Sequence, residues 1–277
     1  MAIQSHRIEP SVKASLRPVL DEAAGEVLAV NFDERATSVL VEVLSDLETP
    51  PSVRLLTKED VLKWLRDDFG LASEAAELIE AETLAARAAT ESLENTLVVT
   101  EETVISLLTP DDDYSAALVT DDEEFVEAVR ERWSSVWEES ETFDLRTPAY
   151  SRVLESLGEE FESAVASDFD TVLDALGSTR DETVLDEVGV SLLVAARHEK
   201  MLYDLSKWGE DTGVASKATF SRAKTNLEEQ GLLDTEKVPI DVGRPRLRLL
   251  LGDERLREAD PEELPSVVRE MLAAIPA

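Results

Sequence analysis

The sequence predicts an α/β N-terminal domain followed by a helical connector and a C-terminal winged helix-turn-helix. Short apolar runs alternate with helical patterns in the first half of the chain, whereas the connector that follows Thr147-Pro148 has a helical pattern only. Further on, two short helical patterns enclose a turn that contains Gly213, and two strand patterns follow. We therefore predict domains at residues 1–147, 148–180, 181–252 and 253–277, the last of these carrying a C-terminal helix.

The strands of the N-terminal domain are predicted from apolar runs bounded by turn residues. The first of them, EVLAVNF, indicates a buried strand, and the third and fourth are close enough to form a hairpin. The predicted strands span residues 26–32, 53–57, 96–100, 104–109 and 116–120. Their alternation with helices favours a small, largely parallel sheet, whose strand order the sequence leaves open.

The helices of this domain are bounded by residues that start or stop helices. Pro50 and Pro51 end the first, and Gly70 separates the next two. Asp121 and Asp122 cap the fourth, where acidic residues suit the helix dipole. The predicted helices span residues 36–47, 58–69, 72–81 and about 122–139.

The connector carries one apolar stripe at helical spacing. Its members are Leu157, Phe161, Val165, Phe169, Val172 and Leu176. A long helix, interrupted or not between residues 163 and 168, would place them on one face. The stripe either docks on the protein's own core or forms a dimer interface, and the sequence leaves both open.

The C-terminal pattern predicts a helix-turn-helix. Helices at residues 188–200 and 201–211 precede a tight turn at 212–214. A third helix, at 216–230, starts at an N-capping serine and ends before Gly231, a residue favoured just beyond a helix.

The third helix divides into a core side and an exposed side at about 100° per residue. Phe220, Ala223 and Leu227 fall on the core side, with Lys224 near the seam. The stretch from Gly213 to Asn226 contains three bases and no acid. A small, hydroxylated or basic face suits a helix that enters the major groove. The predicted DNA contacts of this segment are Ser216, Lys217, Ala218, Ser221, Arg222 and Thr225.

The next two strands, at residues 232–238 and 244–251, are predicted to form the wing. Arg244, Arg246 and Arg248 alternate with leucines in the second strand and so share one face. Guanidinium groups there can hold phosphates or enter the minor groove. We predict Lys237, Arg244 and Arg246 as the DNA contacts of the wing.

The charge of the chain is strongly acidic but unevenly distributed. It has 61 acids and 27 bases, a net charge of −34, and only eight of the bases are Lys. This composition indicates a cytoplasmic protein of a salt-accumulating halophile, with an acidic mesophilic protein as the alternative. From Lys200 to Arg248, however, nine bases stand against eight acids. Acidic residues are thus comparatively scarce where DNA would bind.

Several other classes of protein are disfavoured. The chain has no Cys, which excludes disulfides and thiolate sites, and no signal peptide or membrane-spanning run is predicted. Its two histidines are His6, in an N-terminal segment without predicted structure, and His198, in the DNA-binding part. The first 150 residues contain only Gly25 and Gly70, too few for a phosphate-binding loop. We predict no enzyme activity and no cofactor.

Two remaining features are given structural interpretations. The acidic clusters at residues 111–113 and 121–124 are predicted to be solvated turns and helix caps rather than metal sites. Trp133 and Trp137, at helical spacing, are predicted to be core residues rather than the walls of a pocket.

Residues 192–249, LLVAARHEKMLYDLSKWGEDTGVASKATFSRAKTNLEEQGLLDTEKVPIDVGRPRLRL, resemble the C-terminal part of haloarchaeal TbsP-type transcriptional regulators. The upstream segments DDEEFVEAVRERW and FDLRTPAYSRV are similar too. The resemblance implies a winged-helix regulator of central carbon metabolism genes and carries over no catalytic residue.

These observations predict a sequence-specific regulator that binds double-stranded DNA as a homodimer. Its N-terminal domain would sense a small-metabolite effector or mediate assembly. The alternative is an α/β protein or enzyme whose winged helix docks a protein partner.

Overall fold

The computed structural model describes residues 6–110, 114–177, 185–239 and 245–274. The chain divides into two compact units, Met1–Arg146 and Thr147–Ala277. The strands of the first unit are β1 (His6–Glu9), β2 (Glu26–Val30), β3 (Ser52–Thr57), β4 (Leu84–Ala88), β5 (Leu97–Val99), β6 (Val104–Leu108), β7 (Ser115–Thr120) and β8 (Glu141–Thr142). Its helices are α1 (Val12–Glu22), α2 (Glu34–Asp46), α3 (Glu59–Asp67), α4 (Phe69–Glu80) and α5 (Glu123–Glu139).

The sheet of the first unit is larger and more mixed than predicted. Its eight strands run in the order β1-β7-β6-β5-β2-β3-β4-β8. Only the pairs β2–β3 and β3–β4 are parallel, and the other five are antiparallel. The prediction of a small, largely parallel sheet is therefore wrong. The two crossovers through helices give parallel neighbours, whereas the tight connections between β5, β6 and β7 give antiparallel ones.

Both faces of this sheet are covered by helices. Along β2, Val27 and Ala29 belong to the core cluster that includes residues of α1 to α4. Leu28 and Val30 belong to a second cluster, which includes Trp133 and Trp137 of α5. The two tryptophans are buried, at 8% and 4% exposure, so their prediction as core residues is confirmed. Central strands that are buried on both faces explain why β2 and β3 are predicted well from apolar runs.

Four elements of the first unit were not predicted. They are β1, α1, β4 and β8. His6, expected in a segment without structure, lies in β1 and pairs with Leu118 of β7. Helix α1 contains Pro18, and β4 has the sequence LAARA, whose alanines favour helices over strands. These elements depend on tertiary packing more than on local pattern.

The second unit is built around one helix that is buried over most of its length. Its elements are α6 (Tyr150–Glu160), α7 (Ser163–Gly177), α8 (Glu187–Arg197), α9 (Leu202–Thr212), α10 (Lys217–Glu229), β9 (Leu233–Val238), β10 (Arg246–Leu251), α11 (Glu254–Glu258), a 3-10 turn (Pro261–Glu263) and α12 (Leu264–Ala273). Every residue of α8 from Val188 to Ala196 is buried. A helix that is apolar on all sides belongs at the centre of a domain.

The apolar stripe of the connector belongs to this core. The helical pattern is interrupted at Phe161, where α6 ends, and α7 begins at Ser163. Val165 and Phe169 are fully buried, as is Val172, and α7 packs on α8, the 3-10 turn and α12. Of the two interpretations that the sequence left open, docking on the protein's own core is the one realised. The stripe therefore gives no support to a dimer interface.

Candidate nucleic-acid interface

The geometry of the helix-turn-helix is determined by two glycines. Gly213 ends α9 in the left-handed conformation, with φ +87°, which lets the chain turn toward α10. Gly209 lies against the ring of Phe220, and a Cβ built on it would come within 2.2 Å of the Phe220 Cε2 atom. Phe220 of α10 is fully buried. The missing side chain at position 209 therefore allows α9 and α10 to pack at close range.

Helix α10 begins as predicted and presents the predicted face to solvent. The Ser216 Oγ accepts a hydrogen bond from the Thr219 N–H at 3.2 Å and so caps the helix. The buried side chains are Phe220 and Leu227. The predicted contact residues of this segment are all exposed: Ser216, Lys217, Ala218, Ser221, Arg222 and Thr225. The helix therefore has one small and basic solvent-facing surface beside an apolar core surface.

Lys224 does not belong to that exposed surface. Its side chain is 14% exposed, and its Nζ atom lies 2.6 Å from Glu228 Oε2, one turn further along the helix. The ammonium group is thus neutralised by a carboxylate of the same helix. This ion pair explains how a lysine is accommodated at the seam of the core.

The wing packs against the start of α9. Arg246 of β10 forms an ion pair with Asp204 at 3.0 Å. Its guanidinium also lies 4.5 Å from the centre of the Tyr203 ring, within the range of a cation–π interaction. Lys237 lies exposed on β9, opposite Leu247 of β10. Arg244, predicted as a further contact, lies outside the described residues.

Most bases of this region are paired with carboxylates. Six of the eight described bases between Lys200 and Arg248 form such ion pairs. A side-chain hydrogen bond to Glu210 raises the pKa of Lys217, and one to Asp211 raises the pKa of Lys207. In the described part of the chain, Arg222 and Lys237 are the two bases of the region for which we find no ion pair.

The carboxylate partners were missed by the sequence analysis. Glu210 and Lys217 lie on opposite sides of the turn, and Asp204 and Arg246 are 42 positions apart. Only pairs such as Lys207–Asp211, four positions apart in one helix, carry a signal that a sequence can show.

The acidic clusters have no metal-binding geometry where they are described. Asp122 caps α5, accepting a hydrogen bond from the Phe125 N–H at 3.0 Å. Residues 111–113 lie outside the described part. Elsewhere in that part, no three His, Asp or Glu side chains are grouped so that they could hold a metal ion. We also find no helix there with the length and apolarity needed to span a bilayer.

The first unit contains a cavity of about 580 Å³ between α1 and the β5–β6 turn. Its apolar wall includes Pro18, Val19 and Ile105. Carboxylates, among them Glu22 and Glu101, also line it, and its described lining contains no Lys, Arg or His. The cavity is large enough for a small molecule and is acidic.

A helix-turn-helix with an exposed basic helix, followed by a two-stranded wing, defines the class of winged helix-turn-helix DNA-binding proteins. Residues 149–269 match the C-terminal helix-turn-helix domain of TbsP-like transcriptional regulators, and residues 4–148 match the N-terminal domain of the same regulators. The chain belongs to the TbsP-like family of transcriptional regulators, as the resemblance noted in the sequence indicated. Its C-terminal domain is the helix-turn-helix domain of that family.

Three solved structures show distant similarity to this chain. One is TrmBL2, an archaeal chromatin protein with a novel mode of DNA binding, at 16% identity and a TM-score of 0.37, covering 52% of this chain and 56% of that one. The chain thus spans about half the length of TrmBL2. Nuc from Salmonella typhimurium, a phospholipase D family member, has 14% identity and a TM-score of 0.37, covering 50% of this chain and 97% of that one.

NucT from Helicobacter pylori has 11% identity and a TM-score of 0.33, covering 50% of this chain and 98% of that one. Likenesses at these scores carry no argument about function. No curated protein matches the sequence. The assignment therefore rests on the sequence family.

Proposed function

We propose that this protein recognises specific duplex sequences by inserting α10 into the major groove. The observation that carries the proposal is the exposed face of α10, which is small and basic and has no carboxylate from Gly213 to Asn226. Arg222 is the leading base contact, because arginine can donate two hydrogen bonds to guanine. Ser221 and Thr225 lie on the same exposed face, and the wing residues Lys237, Arg244 and Arg246 hold the flanking backbone.

The proposed regulator acts as a homodimer on two half-sites about 34 Å apart, or a multiple of that distance. Membership of a helix-turn-helix regulator family supports this arrangement. One recognition helix contacts only a few base pairs, so that two helices are needed to read a longer site. The dimer interface lies outside the buried stripe of α6 and α7. Light scattering of the purified protein tests the oligomeric state, and a monomer at micromolar concentration would contradict it.

We place the regulator in the cytoplasm of a halophilic archaeon, controlling genes of central carbon metabolism. The net charge of −34 and the excess of Arg over Lys support a cell whose cytoplasm is rich in salt. The metabolic role comes from the resemblance to TbsP-type regulators. Its effector site is the acidic cavity of the first unit, whose carboxylates favour an uncharged or cationic metabolite over a phosphorylated one.

The test is capture of fragmented genomic DNA by the purified protein in roughly 2 M KCl, where charge repulsion is screened. Wild type is compared with Arg222→Ala and with Arg255→Ala, which removes an exposed arginine outside the helix-turn-helix and wing. Enrichment of a few promoter fragments by wild type and the control, lost in Arg222→Ala, is expected. Captured fragments from other gene classes would contradict the metabolic role.

Equal capture by all three proteins would contradict the assignment of α10. Absence of capture by wild type would favour a winged helix that docks a protein partner. Repeating the capture with an unphosphorylated sugar and with its phosphate ester tests the effector. Release by the phosphate ester alone would contradict the assignment of the cavity.

A further inference from the structure

Two carboxylates on α9 form ion pairs with basic side chains of the proposed DNA-binding surface. Glu210 is ion-paired with Lys217, the first residue of α10. Asp204 is ion-paired with Arg246, the first residue of β10. Both pairs are partly exposed, with side-chain exposures between 35% and 47%. The pairs therefore lie at the surface, one at the start of the recognition helix and one at the start of the second wing strand.

Tyr203 helps to keep one of these pairs in a defined place. Its ring is half exposed and is the one large apolar side chain exposed in the described part of the second unit. The Arg246 guanidinium stacks on this ring while its Nη1 atom bonds to Asp204, the next residue of α9. The arginine is thus held from two sides, and its position relative to α9 is fixed before DNA binds.

A basic side chain that is ion-paired with a carboxylate differs from an unpaired one in the distance over which it attracts a phosphate. The carboxylate cancels most of the long-range charge, so that an approaching phosphate is not drawn in. Short-range donors persist, because a guanidinium has five N–H groups and Asp204 uses only some of them. Those donors contribute only when the duplex is docked in one geometry.

We propose that Asp204 and Glu210 are specificity-determining residues, which suppress binding to unmatched DNA while leaving binding to the matched site nearly unchanged. Non-specific binding is almost entirely phosphate attraction, and this is what the carboxylates cancel. Specific binding adds contacts of α10 with base edges, led by Arg222, for which we find no carboxylate partner among the described residues. The inference rests on the proposed function of α10.

The experiment compares wild type with the Asp204→Asn, Glu210→Gln double variant. Affinity is measured for a duplex captured by wild type and for an unrelated duplex of equal length, over a range of KCl concentrations. We expect the variant to bind the unrelated duplex roughly two- to thirtyfold more tightly, the range that two exposed ion pairs allow. Affinity for the captured duplex should change by less than about twofold.

The salt dependence gives a second readout. Each basic side chain that is freed to contact a phosphate adds about 0.9 to the magnitude of the slope of log affinity against log salt. The slope for the unrelated duplex should therefore steepen by about 1.8. The matched control is Glu258→Gln, Glu262→Gln, which removes two exposed carboxylates outside the helix-turn-helix and wing. Thermal unfolding verifies that each variant is folded, and Glu210→Gln alone replaces the double variant if Asp204→Asn is unstable.

Three results would each overturn the inference: an equal gain in affinity for both duplexes, no gain in affinity for either, or the same gain in affinity for the unrelated duplex in the control variant. These outcomes are distinct from failure of the proposed function. That failure would appear in wild type itself, as binding that does not discriminate between the captured and the unrelated duplex, and would remove the basis of the inference as well.

Discussion

At the scale of single residues, the contact between Gly209 and Phe220 is where the helix-turn-helix tolerates least change. We expect Gly209→Ala to lower the free energy of unfolding by about 1–3 kcal/mol, because the new methyl group must displace a buried ring. DNA binding should fall with it, since Phe220 fixes the orientation of α10. Thermal unfolding and duplex binding are the measurements.

A second substitution separates this steric cause from a general loss of helix stability. Phe220→Leu shortens the side chain that the new methyl group meets. The double variant should then be less destabilised than the sum of the two single variants. Strict additivity, or a Gly209→Ala protein with the wild-type unfolding temperature, would contradict the close contact.

At the scale of elements, polar contacts connect segments of the second unit that are distant in sequence. Lys200, which follows α8, pairs with Glu162, between α6 and α7. His198 Nε2 lies 2.8 Å from Asp168 of α7, and Arg197 lies 3.3 Å from the same carboxylate. These contacts attach the helix-turn-helix to the preceding helices on one side of α8.

The Glu162 pair gives a pH prediction with a definite sign. Its hydrogen bond from Lys200 lowers the pKa of Glu162 below the usual 4.5. A lowered pKa in the folded state stabilises the fold above 4.5 and loses that effect as the pH falls through the folded-state value. We expect Glu162→Gln to lower the unfolding temperature slightly at neutral pH and to match wild type in acid.

The measurement is a series of thermal unfolding curves across this pH range. Glu155→Gln, which changes an exposed carboxylate of α6 with no ion pair among the described residues, is the control. If the difference in unfolding temperature between Glu162→Gln and wild type persists unchanged in acid, the ion pair is not its source.

Local signals accounted for the elements that the sequence predicted correctly. The β5–β6 hairpin, the Asp122 and Ser216 caps and the division of α10 into two faces each depend on residues close together in the chain. The eight-stranded order depends on long-range pairing, such as that of β1 with β7, and a single sequence carries no signal for it. The ion pair of Asp204 with Arg246, 42 positions apart, escaped prediction for the same reason.

At the scale of the whole molecule, charge dominates. With a net charge of −34, self-repulsion is strong at about 0.1 M salt, where the screening length is about 10 Å, and weak at about 1 M, where it is about 3 Å. We expect the unfolding temperature to rise over this range by roughly 5–10 °C, as a gain of a few kcal/mol would produce.

The same scan with a non-ionic osmolyte at matched osmolality controls for preferential exclusion. An equal rise in the osmolyte would assign the effect to exclusion from the surface rather than to charge screening. A flat response to KCl would mean that the local ion pairs already offset the repulsion.

The wing is not the last part of the DNA-binding unit. Beyond Gly252, Arg197 of α8 donates a hydrogen bond at 2.6 Å to the Ala259 carbonyl, and α12 packs back on α7. A gene fusion that borrowed only residues 181–252 would lack α7, with its buried Phe169 and Val172, and would therefore uncover part of α8. We therefore expect that the whole second unit is needed to transfer DNA-binding specificity to another protein. A chimera that exchanges this specificity between relatives should join the two sequences near residue 147.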